Sequence, residues 1–229
     1  MTAAPLYDVL LFDFDGVIVE SVDIKTAAFG TLYAEHGEAI CAEVRAYHSA
    51  HGGVSRYEKF RYFDTVLLGL PAPSAAREHE LDERFSALVL AAVVAAPLVC
   101  GIAAVLDYYL RRAPMYVVSG TPEIELTTII ERRGLGRYFQ RLCGSPVDKL
   151  THIADILAAG QHAPERALVI GDAYTDYAAA AGNGTHFLGR VAPGVPNPFP
   201  SQVAVVEDFD HCAGGCLDGW GRSALSPLS

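Results

Sequence analysis

The feature that most constrains this fold is the alternation of short apolar runs with helix-compatible segments that follows Pro97. Short runs rich in Val, Ile, Leu and aromatic residues are typical of buried strands, and the segments between them are long enough for one helix each. Parallel strands need such crossovers, so the alternation predicts a mainly parallel sheet with helices on both faces, a Rossmann-like α/β fold. The predicted strands are Tyr7–Phe12, Met115–Val118, 139–143, Ala167–Ile170, Thr185–Leu188 and Gln202–Val206.

The segment between the first strand and Pro97 has a different pattern, because it contains no strand-like run. Helix-compatible pieces at about 22–36, 40–50, 55–68 and 77–95 are separated by glycines and prolines. The sequence therefore predicts three parts. They are a discontinuous core at 1–16 and 97–210, an α-helical insertion at 17–96, and a loose tail rich in Gly and Ser at 211–229.

The composition excludes one class of protein and argues against another. Apolar residues make up 51% of the 229 residues and charged residues only 19%, which excludes a mostly disordered chain. The formal charge of -10 argues against nucleic acid as a partner, because a polyanion would be repelled on average. A small anionic substrate stays open, since a few cations can dominate the potential of one pocket.

One run raises the question of a membrane span. Residues 85–106 carry no charge and are long enough to cross a bilayer. Pro97 and Gly101 interrupt the run, so the alternative is two buried segments that meet near Ala96–Pro97. The N-terminus has no basic flank and its apolar run contains Asp8, so no signal peptide is expected there.

The five cysteines are scattered and odd in number, which is unlike a secreted disulfide scaffold. We therefore expect a cytoplasmic location. Cys212 and Cys216 form a C-x3-C pair, but no second ligand pair accompanies them, so we interpret them as ordinary thiols rather than a zinc site.

Two acidic side chains directly follow the first predicted strand. Asp13 and Asp15 are two residues apart, so in an extended chain they point to the same side. Two carboxylates this close either shift each other's ionisation or hold a cation between them. The alternative is an ordinary turn that uses Asp and Gly at the end of a strand.

Two further clusters follow later strands. Ser119, Gly120 and Thr121 come directly after the strand MYVV, where a hydroxyl and backbone N–H groups could hold an anion. The alternative is that Thr121 caps the following helix. Lys149 starts a predicted helix, where a cation opposes the helix dipole, and this unfavourable placement favours a functional role.

A last acidic cluster follows the strand ALVI. Asp172 and Asp176 stand on either side of a strand-to-helix turn, immediately after Gly171. Carboxylate oxygens in this arrangement suit Mg2+, which prefers hard oxygen ligands and retained water. A helix-capping role for Asp172 is the alternative.

The order of these clusters is more specific than any one of them. Asp-x-Asp, then Ser, then Lys, then Gly-Asp-x-x-x-Asp resembles the haloacid dehalogenase-like (HAD) hydrolase superfamily over about residues 6–190. DFDGVIVES is similar to that family's first motif, SGT to its second, the lysine of SPVDK to its third and GDAYTD to its fourth. The resemblance implies that the helical insertion is the family's cap. A membrane span at 85–106 would put Asp13 and Ser119 on opposite sides of a bilayer, so the resemblance also excludes that alternative.

The resemblance implies Mg2+-dependent phosphoryl transfer. Asp13 would attack phosphorus, and Asp15 would protonate the leaving alcohol and then deprotonate the attacking water. The ion would be held by Asp13, Asp172 and the main-chain carbonyl of Asp15, with support from Asp176. The resulting expectation is a phosphatase for a small phosphorylated metabolite, such as a sugar phosphate or a phosphoglycolate-like acid.

Three residues would stabilise charge on the transferring group. By resemblance these are Ser119, Gly120 with its neighbouring N–H groups, and Lys149. Asp15 also distinguishes between branches of the family, because dehalogenases and phosphonoacetaldehyde hydrolases have no acid two residues after the nucleophile. Its presence favours a phosphatase or a phosphomutase.

The insertion supplies further candidates for substrate contact. The stretch Gly53–Arg56 resembles the part of beta-phosphoglucomutase that contacts a non-transferring phosphate, so Arg56 could grip a second anionic group; the alternative is a solvated arginine. The mutase's cap histidine corresponds to Lys25 here, which favours a hydrolase over a mutase. Lys25 and His51 are the other candidate contacts. The alternative functions are that of a phosphomutase and that of a binding protein without catalysis.

Overall fold

A computed structural model describes residues 6–212 and residue 217. Its centre is one six-stranded sheet with the strand order β3-β2-β1-β4-β5-β6, in which every neighbouring pair is parallel. The strands are β1 Val9–Phe12, β2 Met115–Pro122, β3 Arg141–Ser145, β4 Ala167–Gly171, β5 His186–Arg190 and β6 Val205–Val206. The predicted parallel sheet is therefore confirmed, and its strand order changes direction at β1, where open α/β sheets bind ligands.

Helices cover both faces of the sheet, as predicted. Along β1, Leu10 and Phe12 belong to one buried cluster and Val9 and Leu11 to the other, as the two-residue period of a strand requires. The first cluster contains apolar residues of α5 and α6, and the second those of α7 and α8. These helices are α5 Ile102–Tyr109, α6 Glu123–Arg132, α7 Lys149–Gly160 and α8 Tyr174–Gly182.

The segment between β1 and α5 is helical, as predicted. Its helices are α1 Val22–Leu32, α2 Glu38–Ala50, α3 Arg56–Tyr62 and α4 Ala75–Ala95. The hydroxyls of Ser55 and Ser74 accept hydrogen bonds from the backbone N–H groups of Glu58 and Arg77, which fixes the first turns of α3 and α4. The division into a core and a separate cap domain at residues 17 and 96 stays a prediction.

Two chain segments join this insertion to the sheet, and they are paired with each other. The backbone N–H of Val99 donates to the carbonyl of Ile18 (3.1 Å), and the N–H of Glu20 donates to the carbonyl of Pro97 (3.0 Å). The uncharged run 85–106 is divided between α4 and α5, because α4 ends at Ala95 and α5 begins at Ile102. Among the described residues, no helix has both the length and the apolar character that crossing a membrane requires.

Strand β2 is longer than predicted. It continues to Pro122 rather than ending at Val118, so Ser119, Gly120 and Thr121 lie in the strand and α6 begins only at Glu123. The register between β2 and β3 shifts over this stretch. Thr121 is therefore not the cap of the helix, and its hydroxyl is free to make other contacts.

Most of the predicted tail at 211–229, including Cys216, lies outside the described residues. Three of its residues are described: His211 is exposed, and Cys212 and Leu217 are buried. The N–H of Leu217 donates to the Tyr109 hydroxyl (3.1 Å), so this point of the chain contacts the core through α5.

Candidate active site

Three carboxylates meet where β1 and β4 end. Asp13 directly follows β1, Asp172 directly follows β4, and Asp176 lies in the first turn of α8. One carboxylate oxygen of each lies within 4.8 Å of the chosen oxygens of the other two. Because β1 and β4 are hydrogen-bonded neighbours, the sheet itself brings the first and fourth sequence motifs together.

Lys149 is the cation of this cluster. Its Nζ lies 3.0 Å from Oδ1 of Asp13 and 2.6 Å from Oδ1 of Asp176. Burial lowers the pKa of Lys149, but the charges of Asp13 and Asp176 outweigh burial and raise it, so the side chain is an ammonium. Asp148 caps α7 by accepting the N–H of Thr151 (2.8 Å), which fixes the turn that carries the lysine into the site.

The acids outnumber this single cation. Burial, with the charges of Asp176 and Asp15, raises the pKa of Asp13 to about 7 against the opposing effect of Lys149. Burial and the charges of Asp13 and Asp176 raise the pKa of Asp172 well above its usual value. Among the described residues, the Asp172 carboxylate has no hydrogen-bond or ion-pair partner.

This donor set fits a divalent cation such as Mg2+. Mg2+ prefers oxygen ligands and is usually held by one or two carboxylates together with retained water. An ion there would offset the repulsion that, after burial, contributes to the raised pKa values of Asp13 and Asp172. Asp176 is the least available of the three. One of its oxygens accepts from Lys149 and the other from the backbone N–H of Ala173 (3.1 Å). The helix-capping contact therefore comes from Asp176, not from Asp172.

Asp15 has a different environment from Asp13. Its carboxylate accepts hydrogen bonds from Nζ of Lys25 (2.5 Å), from the Ser21 hydroxyl (2.6 Å) and from the Thr121 hydroxyl (2.9 Å). Burial raises the pKa of Asp15, but the charge of Lys25 and these three hydrogen bonds outweigh burial and lower it. Asp15 is therefore ionised at neutral pH, where it can accept a proton.

Ser119 and Gly120 lie on the other side of Asp13, in the extended end of β2. Ser119 is buried, and its Oγ accepts the backbone N–H of Thr121 (3.1 Å). A Cβ on Gly120 would lie 2.5 Å from the carbonyl oxygen of Gly53, so only glycine allows the insertion to approach this strand. The predicted contact of Ser119 and Gly120 with a phosphate stays a prediction.

The insertion closes on the sheet through Gly52 and Gly53. The Thr175 hydroxyl of α8 donates to the Gly52 carbonyl (3.0 Å). Gly53 has a φ of +72°, and a Cβ there would lie 2.0 Å from Oγ1 of Thr175. The sequence reasoning missed Thr175, which lies in the fourth motif and contacts the insertion.

A cavity of about 300 Å³ lies between the insertion and the ends of β1, β2 and β4. Eight of the predicted site residues line it, from both sides. They are Asp13, Asp15, Lys25, His51, Arg56, Ser119, Gly120 and Asp172. Of the other two, Lys149 contacts Asp13, and Asp176 contacts Lys149.

Arg56 is buried, so the alternative of a solvated arginine is wrong. Its guanidinium pairs with Glu125 of α6 and lies 3.2 Å from Asp82 of α4, with Ser86 at 2.8 Å. Its predicted contact with a substrate anion stays a prediction, although two carboxylates already neutralise the guanidinium. The sequence reasoning missed Glu125, which joins α6 to the insertion through this ion pair.

His51 is exposed at the rim of the cavity. Its Nδ1 lies 2.8 Å from the carbonyl oxygen of Tyr47, and its ring stacks on that tyrosine at 3.8 Å. Its predicted contact with substrate stays a prediction.

Lys59 and His48 also line the cavity, and the sequence reasoning missed both. Neither residue lies in a recognisable motif of α3 or α2, so the local sequence does not single them out. The rarity of lysine in the chain does single out Lys59. The 229 residues contain only three lysines, at 25, 59 and 149, and all three lie at this cavity or in contact with Asp13.

A family model for haloacid dehalogenase-like hydrolases matches residues 7–184. The chain belongs to this family. The match covers all four motifs and the helical insertion, so the predicted family is confirmed. No curated protein sequence matches the chain.

Solved structures show the same fold at low sequence identity. A beta-phosphoglucomutase from Clostridium difficile has a TM-score of 0.71 at 16% identity, with 89% of this chain and 92% of that one covered. A predicted phosphoglycolate phosphatase from Haemophilus somnus has 0.70 at 14%, with 92% and 98% covered. A putative HAD hydrolase from Bacillus subtilis, bound to magnesium, has 0.67 at 16%, with 90% and 96% covered.

Proposed function

We propose that this HAD hydrolase is a Mg2+-dependent phosphatase that hydrolyses a small phosphorylated metabolite through an aspartyl-phosphate on Asp13. One observation carries the proposal. Asp13 lines a cavity of about 300 Å³ and is grouped with two further carboxylates and the ammonium of Lys149. A carboxylate nucleophile, a cation site and a fixed positive charge around one small cavity are the parts that phosphoryl transfer requires.

The metal ion would be held by Asp13 and Asp172, with the main-chain carbonyl of Asp15 and support from Asp176. When bound, it supplies positive charge that offsets the repulsion between the Asp13 carboxylate and the phosphate. The unpartnered carboxylate of Asp172 favours this assignment, because an ion there would supply the counter-charge that this partly buried group lacks among the described residues.

In the first half of the reaction, an oxygen of Asp13 would attack phosphorus and displace the alcohol. Lys149 is positioned to stabilise charge on the transferring group, since its ammonium already touches Asp13. Ser119 and the N–H groups next to it would hold the phosphate oxygens. Asp15 would carry a proton to the departing alcohol. Because its contacts keep it ionised in the free protein, it would take up this proton only once substrate is bound.

In the second half, Asp15 would take a proton from the water that attacks the aspartyl-phosphate. The hydrogen bonds from Lys25, Ser21 and Thr121 favour this role, because they keep the Asp15 carboxylate ionised and fix its direction. The same contacts orient Asp15 independently of the position of the substrate.

A phosphomutase is the second candidate, and a solved beta-phosphoglucomutase shares the fold. A mutase must return the phosphoryl group to substrate rather than to water. Lys25 stands where the mutase has its cap histidine, which favours hydrolysis. A hexose 1-phosphate supplied with a bisphosphate activator separates the two, because a mutase gives the isomer without free phosphate.

The test of the proposal is a panel of phosphorylated metabolites assayed for phosphate release, with and without EDTA. We expect release from a subset of small esters that stops in EDTA and returns with Mg2+. A protein that binds these esters but releases no phosphate from any of them would instead be a binding protein without catalysis.

A further inference from the structure

Lys59 is the buried cation that the proposed chemistry does not use. It lies on α3, is 2% exposed and lines the cavity. Lys25 pairs with Asp15, and Lys149 pairs with Asp13. In the described part of the chain, no carboxylate oxygen lies within 4.0 Å of the Lys59 ammonium, so this lysine alone of the three has no carboxylate in direct contact.

The hydrogen-bond partner of Lys59 is a histidine. Nζ of Lys59 lies 2.8 Å from Nδ1 of His48, and the same ammonium lies 5.6 Å from the centre of the Phe29 ring. In its ammonium form Lys59 can only donate, so Nδ1 accepts and the ring proton of His48 is on Nε2. Burial and the charge of Lys59 lower the pKa of His48 to about 2, so its ring is neutral.

Two donors therefore remain unused in this part of the cavity. The Lys59 ammonium has hydrogens beyond the one that His48 accepts, and Nε2–H of His48 has no hydrogen-bond partner among the described residues. Burial and the neighbouring charge of Lys25 lower the pKa of Lys59 to about 7, so the protein bears a cost for keeping a lysine here. An anion bound to both groups would remove that cost.

We propose that Lys59 and His48 bind a second anionic group of the substrate, a carboxylate or a phosphate, while its transferring phosphate lies at Asp13. The inference rests on the proposed phosphatase function and narrows its substrate class. The substrate is then a small phosphate ester with two anionic groups on a short chain, because both groups must fit one cavity of about 300 Å³.

The other cations of the insertion are less suited to this role. The guanidinium of Arg56 is paired with Glu125 and lies 3.2 Å from Asp82. Nζ of Lys25 donates to Asp15 and to the Thr121 hydroxyl (2.6 Å). An anion at either of these would have to displace an existing carboxylate partner, whereas Lys59 has none to lose.

The test compares two esters that differ in one anionic group, 2-phosphoglycolate and ethyl phosphate. The ratio of their kcat/KM values is measured in Mg2+ for the wild type, for Lys59→Met and for the control Arg61→Met. Arg61 lies on the same helix but is exposed and pairs with Glu78. A second pair consists of the bisphosphate and the monophosphate of a short diol. Comparing the two pairs shows whether the second anionic group of the substrate is a phosphate or a carboxylate.

We expect the wild type to prefer the ester with two anionic groups in at least one pair. Lys59→Met should lower that preference about 10- to 100-fold, since a hydrogen-bonded charge is lost, and Arg61→Met should leave it unchanged. A preference that Lys59→Met does not change, or a wild type that prefers the one-anion ester in both pairs, overturns the inference.

Failure of the inference and failure of the proposed function give different results. Equal phosphate release from both members of each pair contradicts the second anion site and leaves the phosphatase intact. Calorimetric binding of 2-phosphoglycolate and the bisphosphate to Asp13→Asn, with and without Lys59→Met, tests the anion site without turnover. If Lys59→Met weakens the binding of 2-phosphoglycolate or of the bisphosphate, the site is supported even if no ester is hydrolysed. If Lys59→Met changes the binding of neither ligand, the inference is overturned.

Discussion

The two walls of the cavity differ in charge and in origin. The wall from the sheet carries the acids Asp13, Asp15 and Asp172 at the ends of strands, whereas the wall from the insertion carries Lys25 and Lys59 on helices. The sheet wall is continuous with the most buried strands of the molecule, so its acids have fixed positions. Under the proposed function, the sheet wall would transfer the phosphoryl group and the helical wall would select the substrate.

This comparison also explains the total charge of -10, which is unexpected for a protein proposed to bind phosphate esters. The negative charge at the site is concentrated on the sheet wall, where a divalent cation would offset it. The positive charge is concentrated on the facing wall and on Lys149. A substrate with two anionic groups would therefore meet a cation at each end, although the protein as a whole is acidic.

The largest expected effect comes from removing the nucleophile of the sheet wall. Asp13→Asn should lower phosphate release about 10⁴-fold or more, because an amide cannot form the aspartyl-phosphate. The control is Asp8→Asn, an exposed acid that lies just before the same strand and pairs with Arg166. Wild-type turnover in Asp13→Asn would contradict the role of the sheet wall.

The next effect concerns the cation site and its pH dependence. The pKa of Asp13 is about 7 in the folded protein, against 3.8 in the unfolded chain. As pH rises, the unfolded chain therefore loses this proton before the folded protein does. The free energy of unfolding of the metal-free protein should thus fall between about pH 4 and pH 7. Bound Mg2+ should reverse that loss. We expect saturating Mg2+ to raise Tm by about 5 °C or more at pH 8 and by much less at pH 5.

Thermal unfolding in Mg2+ and in EDTA at both pH values measures this effect, with Asp172→Asn as the variant that lacks the unpartnered ligand. Asp172→Asn should have a smaller Mg2+ shift at pH 8 and a higher Tm in EDTA. An equal Mg2+ shift at the two pH values would contradict the proposed ligand set.

An intermediate effect should come from the contact that joins the two walls, between Lys25 and Asp15. Lys25 lowers the pKa of Asp15, so Lys25→Met should raise it and move the acid limb of the pH–kcat profile to higher pH. At neutral pH we expect kcat to fall about 10- to 100-fold. Thr121→Val, which removes one neutral hydrogen bond, should move the limb in the same direction by less. If the acid limb of the pH–kcat profile is the same in Lys25→Met as in the wild type, ionisation of Asp15 does not limit turnover.

The smallest expected effect is at the exposed rim of the helical wall. His51→Ala should raise KM by about 2- to 3-fold and leave kcat unchanged, since a contact at the solvated rim contributes little binding energy. Steady-state kinetics on the best ester of the panel measures it. A KM increase as large as that of Lys59→Met would show that the rim, rather than the buried lysine, selects the substrate.

The sheet wall could be predicted from the sequence because the order of its motifs encodes its geometry. Asp13, Lys149 and Asp172 follow β1, β3 and β4, and Ser119 lies in the last half of β2. The carboxyl ends of parallel strands share an edge of the sheet. The predicted strands and helices agree with the structure apart from their ends. The extension of β2 to Pro122 was missed because Ser-Gly-Thr-Pro is typical of a turn.

The helical wall could not be predicted in the same way. Lys59 lies in the stretch RYEKFRY, whose charged residues suggest a solvated helix. Its burial depends on how α3 packs against the other helices of the insertion, which no local pattern encodes. The same holds for the pair of Arg56 and Glu125, which are 69 positions apart.

The most direct test of the central claim is to look for the phosphoryl group on Asp13 during turnover. The wild type is mixed with Mg2+ and its best ester, quenched in acid within one turnover, digested and analysed by mass spectrometry. The account predicts a phosphorylated peptide that contains Asp13, and its absence in Asp13→Asn. Rapid phosphate release with no phosphorylated Asp13 peptide at any quench time would contradict it.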